Sequence, residues 1–443
     1  MKRVVLTILV LLASGVIASA QSRGSYLFEN SLLRSKLNPA FAPKADYATL
    51  PGVGSFSVDM AGNVGLKNFI FPEGDVNHLF LNDAVPADQF LSELPKRDPY
   101  LQKRVESDLF GFGMQMGDDG YATLSLSLVE KGSYTVSGDL LRYLKAGSSA
   151  AQGISAGGSA SLAGYAALAA GYSQDLSRIA EGLRAGVRVK LLIGLAAGRF
   201  DMDRVGVQFG SDQVSAVVHG TGALSGVGYD SVNGVSIARP GLHNFGAAVD
   251  LGVSYWLPMD GPWNLSGIEF SASVCDLGGI RYDRMVSSLS LDHQFEFSGL
   301  GDLSGDIKSG FEKVAADLKE FTQLDSSEGE SFLYGLPTSI HAGATAHLLQ
   351  DKVSAGLLYY HSVNHSNLML AGGVSPLGWL NLGVNWTFLG PANRLGFYAE
   401  VIPEKYFSFF IGMERASLYS NSRHIPIRNF TESIAFGVNM LFR

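Results

Sequence analysis

The chain has 443 residues, 46% hydrophobic and 17% charged, with 53 glycines, one cysteine and a formal net charge of −8. Charged residues usually make up about 25% of a chain and glycine about 7%, so this is not the composition of an ordinary charged cytosolic enzyme. One cysteine excludes an intrachain disulfide scaffold, and the negative balance offers nucleic acid no electrostatic foothold.

Residues 1–20 read as an export signal. Lys2 and Arg3 are followed by an apolar run over residues 4–12, and Ala18-Ser19-Ala20 supplies the small residues of a cleavage site. Cleavage is expected before Gln21. A lipid anchor needs a cysteine at that point, and the only cysteine is Cys275. Beyond the signal, no run approaches the ~20 apolar residues of a spanning helix.

Residues 22–51 lack strand alternation and carry Pro39, Pro43 and Pro51, so an irregular N-terminal segment is expected. The polar, proline-punctuated stretch 75–108 is expected to be a loop with short helical turns. From residue 121 a period of two takes over. Ala122, Leu124, Leu126 and Leu128 alternate with Thr123, Ser125 and Ser127. A short helix is expected over 139–145. The same alternation returns with Phe245, Ala247, Val249, Leu251, Val253 and Tyr255 against Gly246, Ala248, Asp250, Gly252 and Ser254. It returns again with Ile340, Ala342, Ala344, Ala346 and Leu348 against His341, Gly343, Thr345 and His347, and with Leu380, Leu382, Val384, Trp386 and Phe388 against Asn381, Gly383, Asn385 and Thr387. The last strand sets Ile434, Phe436, Val438, Met440 and Phe442 against Ser433, Gly437 and Asn439. One segment breaks the rhythm differently: Ile307, Phe311, Val314, Leu318 and Phe321 recur at helical spacing, predicting a helix over 302–323.

A soluble sandwich or barrel also alternates, but its strands average about 5–6 residues and turn their apolar face inward. Several strands here run longer and carry a second face of small polar residues. That is the pattern of a closed, antiparallel transmembrane β-barrel, whose apolar side chains meet lipid and whose polar ones line the lumen. About fourteen such strands are counted along the chain, within a range of twelve to sixteen; that leaves about 30 residues per strand with its connection, of which about 9–11 span. Aromatic residues at strand ends suggest an interfacial girdle: Tyr255, Trp256, Trp263, Tyr359, Tyr360, Trp379, Phe407 and Phe409.

On this reading the lumen carries polar candidates: Arg184, Arg188 and Lys190 on one strand, Asp250 and Glu269 on the next two, then His341, His347, Arg394 and Glu400. They are read first as structural pairs that fix a plug, and second as a selectivity surface. Chemistry is sparse. Gly153-Ile154-Ser155-Ala156-Gly157 spells G-x-S-x-G but without the strand–turn–helix setting that a hydrolase needs. His341 and His347 lie about 20 Å apart along one strand, and His361 and His365 lack helical spacing, so no metal site is expected. Cys275 reads as an unreactive thiol on the lumen side.

Leu37-Asn38-Pro39-Ala40-Phe41-Ala42-Pro43, then Leu50-Pro51-Gly52-Val53-Gly54, Gly246-Ala247-Ala248-Val249-Asp250-Leu251-Gly252, Asp276-Leu277-Gly278 and the closing strand 436–442 resemble an exported barrel family catalogued as domain of unknown function 5723. The triplet Asn38-Pro39-Ala40 is also similar to the opening of long-chain fatty-acid transporter (FadL-like) barrels. That resemblance implies an N-terminal segment that plugs the lumen and hydrophobic molecules that cross the wall. The final strand resembles the signal by which barrel-assembly machinery recognises its clients, although Arg443 follows the terminal aromatic Phe442.

The expectation is therefore an all-β barrel over residues 52–443, preceded by a plug-like or periplasmic segment over 21–51 and placed in a Gram-negative outer membrane among its lipids. It is non-enzymatic, needs no cofactor, and passes a hydrophobic or small solute passively. The alternative is a barrel platform whose loops and 302–323 helix bind a partner protein.

Overall fold

The computed structural model describes residues 23–442, apart from 53, 66–67, 74–75, 81, 83, 147–155, 210–213, 231–233, 238–243, 298–324, 364, 391–392, 404–405 and 416–431. Among the described residues, fourteen antiparallel strands close into one barrel. β1 is made of two pieces, Asp46–Thr49 and Phe56–Gly62. It is followed by β2 (Tyr100–Met116), β3 (Gly120–Val136), β4 (Ala156–Asp175), β5 (Leu183–Phe209), β6 (Asn244–Gly261) and β7 (Leu265–Tyr282). The circuit continues with β8 (Ser339–Leu348), β9 (Val353–Ser362), β10 (His365–Leu377), β11 (Leu380–Phe388), β12 (Arg394–Val401), β13 (Phe407–Arg415) and β14 (Glu432–Phe442).

Each strand pairs with the next. β1 closes the circle, with Asp46↔Phe442 and Phe56↔Phe436 on its β14 edge and Ala48↔Phe112 and Phe56↔Ser107 on its β2 edge. Closure leaves no wall strand with a free edge, so the backbone groups of the wall are satisfied within the sheet.

The alternation decides which way the barrel is turned out. Leu124, Leu128, Val189, Leu191, Phe245, Leu251, Val384 and Phe436 are exposed on the outer surface. Their strand neighbours Ser127, Asp250, Asn381, Asn385 and Ser433 are buried inside. A soluble barrel would reverse this arrangement. No helix among the described residues is long and apolar enough to cross a membrane; the apolar band belongs to the strands.

The two ends differ. Short turns join β2 to β3, β6 to β7, β8 to β9 and β10 to β11 at one end. The longer connections 63–99, 137–155, 210–243 and 283–338 lie at the other. β5 is 27 residues long. Its first part pairs with β6 as far as Gly194, and from Ala197 it pairs instead with Val214–Ser225, which in turn pairs with Val286–Phe297. The sheet thus rises past the barrel on the long-connection side. There, Phe332–Gly335 folds back on the end of β7, and Phe332 and Tyr334 join Val129, Tyr165, Leu192, Ile280 and Tyr282 in a buried cluster.

The short helix expected over 139–145 is present as Gly138–Ala146. The stretch 75–108 is not one loop. It holds the strand Val76–Leu79 and the helix Ala87–Glu93, and β2 begins at Tyr100. Alternation failed to reveal this start because the lumen face there carries Arg104, Glu106 and Asp108 while the opposite face includes Lys103 and Ser107. Residues 22–51 are likewise not wholly irregular, since Asp46–Thr49 is already wall. Two girdle residues point the other way: Trp256 packs on the His347 ring and Tyr360 on His341, both inside the barrel. The signal 1–20, the Gly153-Ile154-Ser155 start of the hydrolase-like spelling and the 302–323 helix lie outside the described residues.

Candidate functional site

Residues 23–41 run through the lumen as a 3-10 turn (Arg23–Leu27), an irregular bend and one helical turn (Arg34–Leu37). A segment with so little repetitive structure leaves many backbone groups unpaired, and an interior without bulk water must satisfy them from the wall. The wall does so. Ser273 Oγ donates to the Leu37 carbonyl at 2.6 Å, and the Arg188 guanidinium to the Ser35 carbonyl at 2.6 Å. Asn38 Nδ2 donates to the Val253 and Ala272 carbonyls at 3.0 and 3.2 Å, while its Oδ1 accepts from Ala40 N–H at 2.9 Å. Asn38 thereby joins β6 to β7 from inside. Pro39 sits against Gly186 and Gly252, where a Cβ would overlap the Pro39 carbonyl or the Asn38 amide.

Two other forces hold the segment. Tyr26, Leu27, Phe28, Leu33, Leu37 and Phe41 pack against Leu358, Met369, Ala371, Tyr398, Phe410 and Ala435 of β9 to β14. Full burial of such side chains contributes about 1.5–3 kcal/mol each, so the gross apolar contribution is on the order of 10 kcal/mol. Charges then fix the register. Arg23 meets Asp59 at 2.7 Å and Glu414 at 3.5 Å, Arg34 meets Glu269, and Lys36 meets Asp108 at 2.7 Å and Glu106 at 3.1 Å. Arg34 also lies over the Phe41 ring at 4.0 Å. Burial works against ionisation of Glu29, but Lys44, helped by His347 and Arg34, holds its carboxyl below the usual range.

The lumen charges foreseen from sequence divide into separate groups. Arg188, Lys190 and Asp250 come together: Asp250 lies 3.3 Å from Arg188 and 2.7 Å from Lys190. The centre of this group, Asp276, was missed. Its carboxylate takes Lys131 and Lys190 at 2.7 Å and Arg104 at 3.1 Å, and its backbone N–H donates to Asp250 at 2.7 Å. Asp276 sits at φ +64° where β6 and β7 slip register between Val249 and Leu251. Glu269 instead pairs with Arg34 of the lumenal segment. Arg184 stands near the short-turn end, donating to Ser173 Oγ and the Asp119 carbonyl, both at 3.1 Å.

The remaining candidates lie on the far arc. Arg394 meets Glu414 at 3.4 Å. Glu400 accepts from Ser408 at 2.6 Å, Tyr398 at 2.9 Å and Asn381 at 3.2 Å. His341 and His347 share a face but not a site. His341 lies beside Tyr360 and Ser273, and His347 beside Trp256 and Glu29. His361 is bonded to Ser366 rather than to a common centre with His365. Cys275 is buried, with its thiol 3.6 Å from the Leu37 carbonyl. Among the described residues no group of three or more His, Cys, Asp or Glu is placed to hold a metal ion.

Beside the lumenal segment 23–41 runs a cavity of about 80 Å³. One side is lined by Lys36, Arg104, Arg188 and Lys190 with Glu106, Asp108 and Asp276, and the other by Val129, Tyr165, Ala167 and Leu192. At about 10–15 Å³ per water, it has room for several waters. Lys131, Glu106, Asp108 and Asp276 were within reach of sequence reasoning, since Lys131 keeps the inward parity of Ser125, Ser127 and Val129. Their convergence was not, because it is made across strands more than a hundred residues apart.

Fold and lumen together define the class: a closed fourteen-stranded β-barrel, apolar outside, with its own N-terminal segment seated in the lumen. The chain belongs to the family of unknown function DUF5723, which matches residues 39–414. Among solved structures it is similar to a FadL homologue of Pseudomonas aeruginosa, at 11% identity over 95% of each chain and a TM-score of 0.43. It is also similar to the P. putida toluene transporter TodX, at 10% identity over 91% of this chain and 92% of that one, with a TM-score of 0.40. The translocator domain of the autotransporter NalP from Neisseria meningitidis is similar at 9% identity over 90% and 89%, with a TM-score of 0.33. No curated protein matches the chain.

Proposed function

We propose that the protein is an outer-membrane channel through which a small solute moves passively, with residues 23–41 acting as the plug. The observation that carries this reading is the tethered segment itself: it is packed and ion-paired along the lumen yet leaves a cavity of about 80 Å³ against β2 to β5. A barrel used only as an anchor needs no such arrangement. The inverted apolar surface supports insertion into a bilayer, and short turns at one end with long connections at the other match the periplasmic and outer ends of such barrels. The N-terminal sequence supports export, and the closing strand supports recognition by assembly machinery.

Solute flux into liposomes tests this. Deletion of residues 23–41 raises flux through a barrel that still migrates heat-modifiably in detergent gels. Absence of flux in both the parent and the deletion variant removes the transport reading. One observation favours a second reading, a platform for a protein partner: β5 and its neighbours extend the sheet past the barrel mouth. Loss of a co-purifying partner on replacing the sheet extension Val214–Ser225 and Val286–Phe297 with short linkers, with flux unchanged, would favour the platform.

A further inference from the structure

The cavity beside residues 23–41 is graded along its length, and three adjacent strands set the grading. Thr123, Ser125, Ser127 and Val129 of β3 line it in succession, a run of about 20 Å at strand rise. Across the ladder they face Gly171, Ala169, Ala167 and Tyr165 of β4. The first three of these face in turn Arg188, Lys190 and Leu192 of β5. Toward the short-turn end the rows therefore read hydroxyl, small residue, cation. Toward the long connections they turn apolar, with Ala167 and Leu192, then Val129 and Tyr165. β4 carries nothing larger than alanine in three successive rows, which leaves room between the side chains on either side.

The charges on this cavity do not cancel. Its lining sets Lys36, Arg104, Arg188 and Lys190 against Glu106, Asp108 and Asp276, one cation in excess. The groups packed behind them preserve the surplus: Lys131 adds a cation through Asp276, and Asp250 adds a carboxylate through Arg188 and Lys190. The neighbouring Arg34 and Glu269 pair with each other. All of these charges are present with residues 23–41 in place. Asp276 is already shared by three cations, and Asp250 and Glu106 by two each. A charge held away from bulk water without a counter-charge is costly, and an anion in the cavity removes the surplus.

Size and lining narrow the class of anion. An apolar cavity of about 150 Å³ accommodates benzene, so one of about 80 Å³ is too small for an aromatic ring. It has room for a chain of two or three carbons. A bare halide would leave the apolar rows at Ala167, Leu192 and Val129 uncovered. A divalent anion would exceed the single surplus charge.

We propose that this cavity is a binding site for a short-chain carboxylate of two or three carbons. The carboxylate lies on the Lys190 and Arg188 side, where Thr123 and Ser125 supply hydroxyl donors. The alkyl end lies against Ala167, Leu192 and Val129. This inference rests on the channel reading, since it names the solute for the cavity that carries that reading.

Calorimetric titration of the full-length protein in a neutral detergent tests it, with sodium gluconate, whose anion is too large for the cavity, holding the ionic strength. Propionate is expected to bind saturably at one site. Chloride, which lacks the alkyl end, and 1-propanol, which lacks the charge, are each expected to bind at least tenfold more weakly. K131M cancels the surplus charge without altering the lining, and A167I fills the apolar rows. Each is expected to weaken propionate binding at least tenfold. Heat-modifiable migration establishes which variants fold, and if K131M does not, A167I decides. Water alone in the cavity predicts no saturable binding by the parent, and that result overturns the proposal. Chloride or propanol binding as tightly as propionate, or propionate binding indifferent to a folded K131M or A167I, overturns it too. Binding is read here without flux, so propionate that binds but never crosses refutes transport and leaves the site standing. Flux of other solutes through a barrel that binds no propionate does the reverse.

Discussion

The Lys36 ammonium lies 2.7 Å from the Asp108 carboxylate, and this contact joins the plug to β2. Lys36 also reaches Glu106, which is shared with Arg104. Asp108 has a weaker second partner, the Ser127 hydroxyl at 2.8 Å. Removing the lysine charge therefore strands Asp108 more than Glu106. Breaking a buried pair from one side costs about 3–5 kcal/mol. K36M keeps the apolar stem and should lower the temperature at which the barrel loses its compact gel form. It should also raise single-channel conductance in planar bilayers. Unchanged conductance in a folded K36M barrel would show that this tether does not hold the plug closed.

Glycine at 252 is required by proximity rather than by backbone angle. A Cβ there would overlap the Asn38 amide, and the nearest alternative space is taken by Pro39. G252V should therefore dislodge the Asn38–Ala40 corner while leaving the β5 and β7 ladders beside it in place. Limited trypsinolysis reads the outcome. Arg34 and Lys36 are protected in the parent by burial in the lumen and should become cleavable in G252V, with the wall strands intact. Continued protection would mean that the corner shifts without releasing the segment.

The fold was legible because the outer surface needs apolar residues at every second position and the lumen tolerates small polar ones. That contrast is strong at Leu124 to Leu128 and at Leu382 to Phe388, and the strand number followed from counting such segments. It disappears at the start of β2, where Arg104, Glu106 and Asp108 on the lumen face take part in the ion network, and Lys103 on the other face pairs with Glu130 near the long-connection end. Parity alone would have turned Trp256 and Tyr360 inward, since Tyr255 and Tyr359 face out. The lumen candidates were found one strand at a time. Their grouping was hidden, because Asp276 collects Arg104, Lys131 and Lys190 from three strands, and only barrel closure brings those strands opposite it.

The outer surface makes a prediction that depends on bilayer insertion alone. Val384 lies midway along β11 and is among the most exposed apolar side chains of the wall, at 67%. An arginine on the lipid face near the midplane costs about 2–4 kcal/mol. V384R should shift the urea midpoint of folding into phospholipid vesicles downward by a corresponding amount. N385S, one residue further on but facing inward, should leave that midpoint nearly unchanged. Equal sensitivity at the two positions would contradict a lipid-facing wall.

Asp276 offers the sharpest test of what the charge cluster does. It faces Arg104, Lys131 and Lys190, while Glu106 also takes Arg104 and Asp250 also takes Lys190. Asparagine tolerates a left-handed backbone nearly as well as aspartate does, so D276N removes charge without straining the φ of +64°. Two effects should follow together. Stability falls by a few kcal/mol, because three buried cations lose a shared counter-charge. Selectivity moves toward anions, because the cavity beside the plug gains positive potential. Reversal potentials in a potassium chloride gradient, measured in the K36M background so that the pore conducts, should shift toward that of chloride. A stability loss without the shift would assign the cluster to holding the wall and the plug together. A shift would place it on the path the solute takes, since only ions passing close to Asp276 can sense a change that is screened within about 10 Å at ordinary salt.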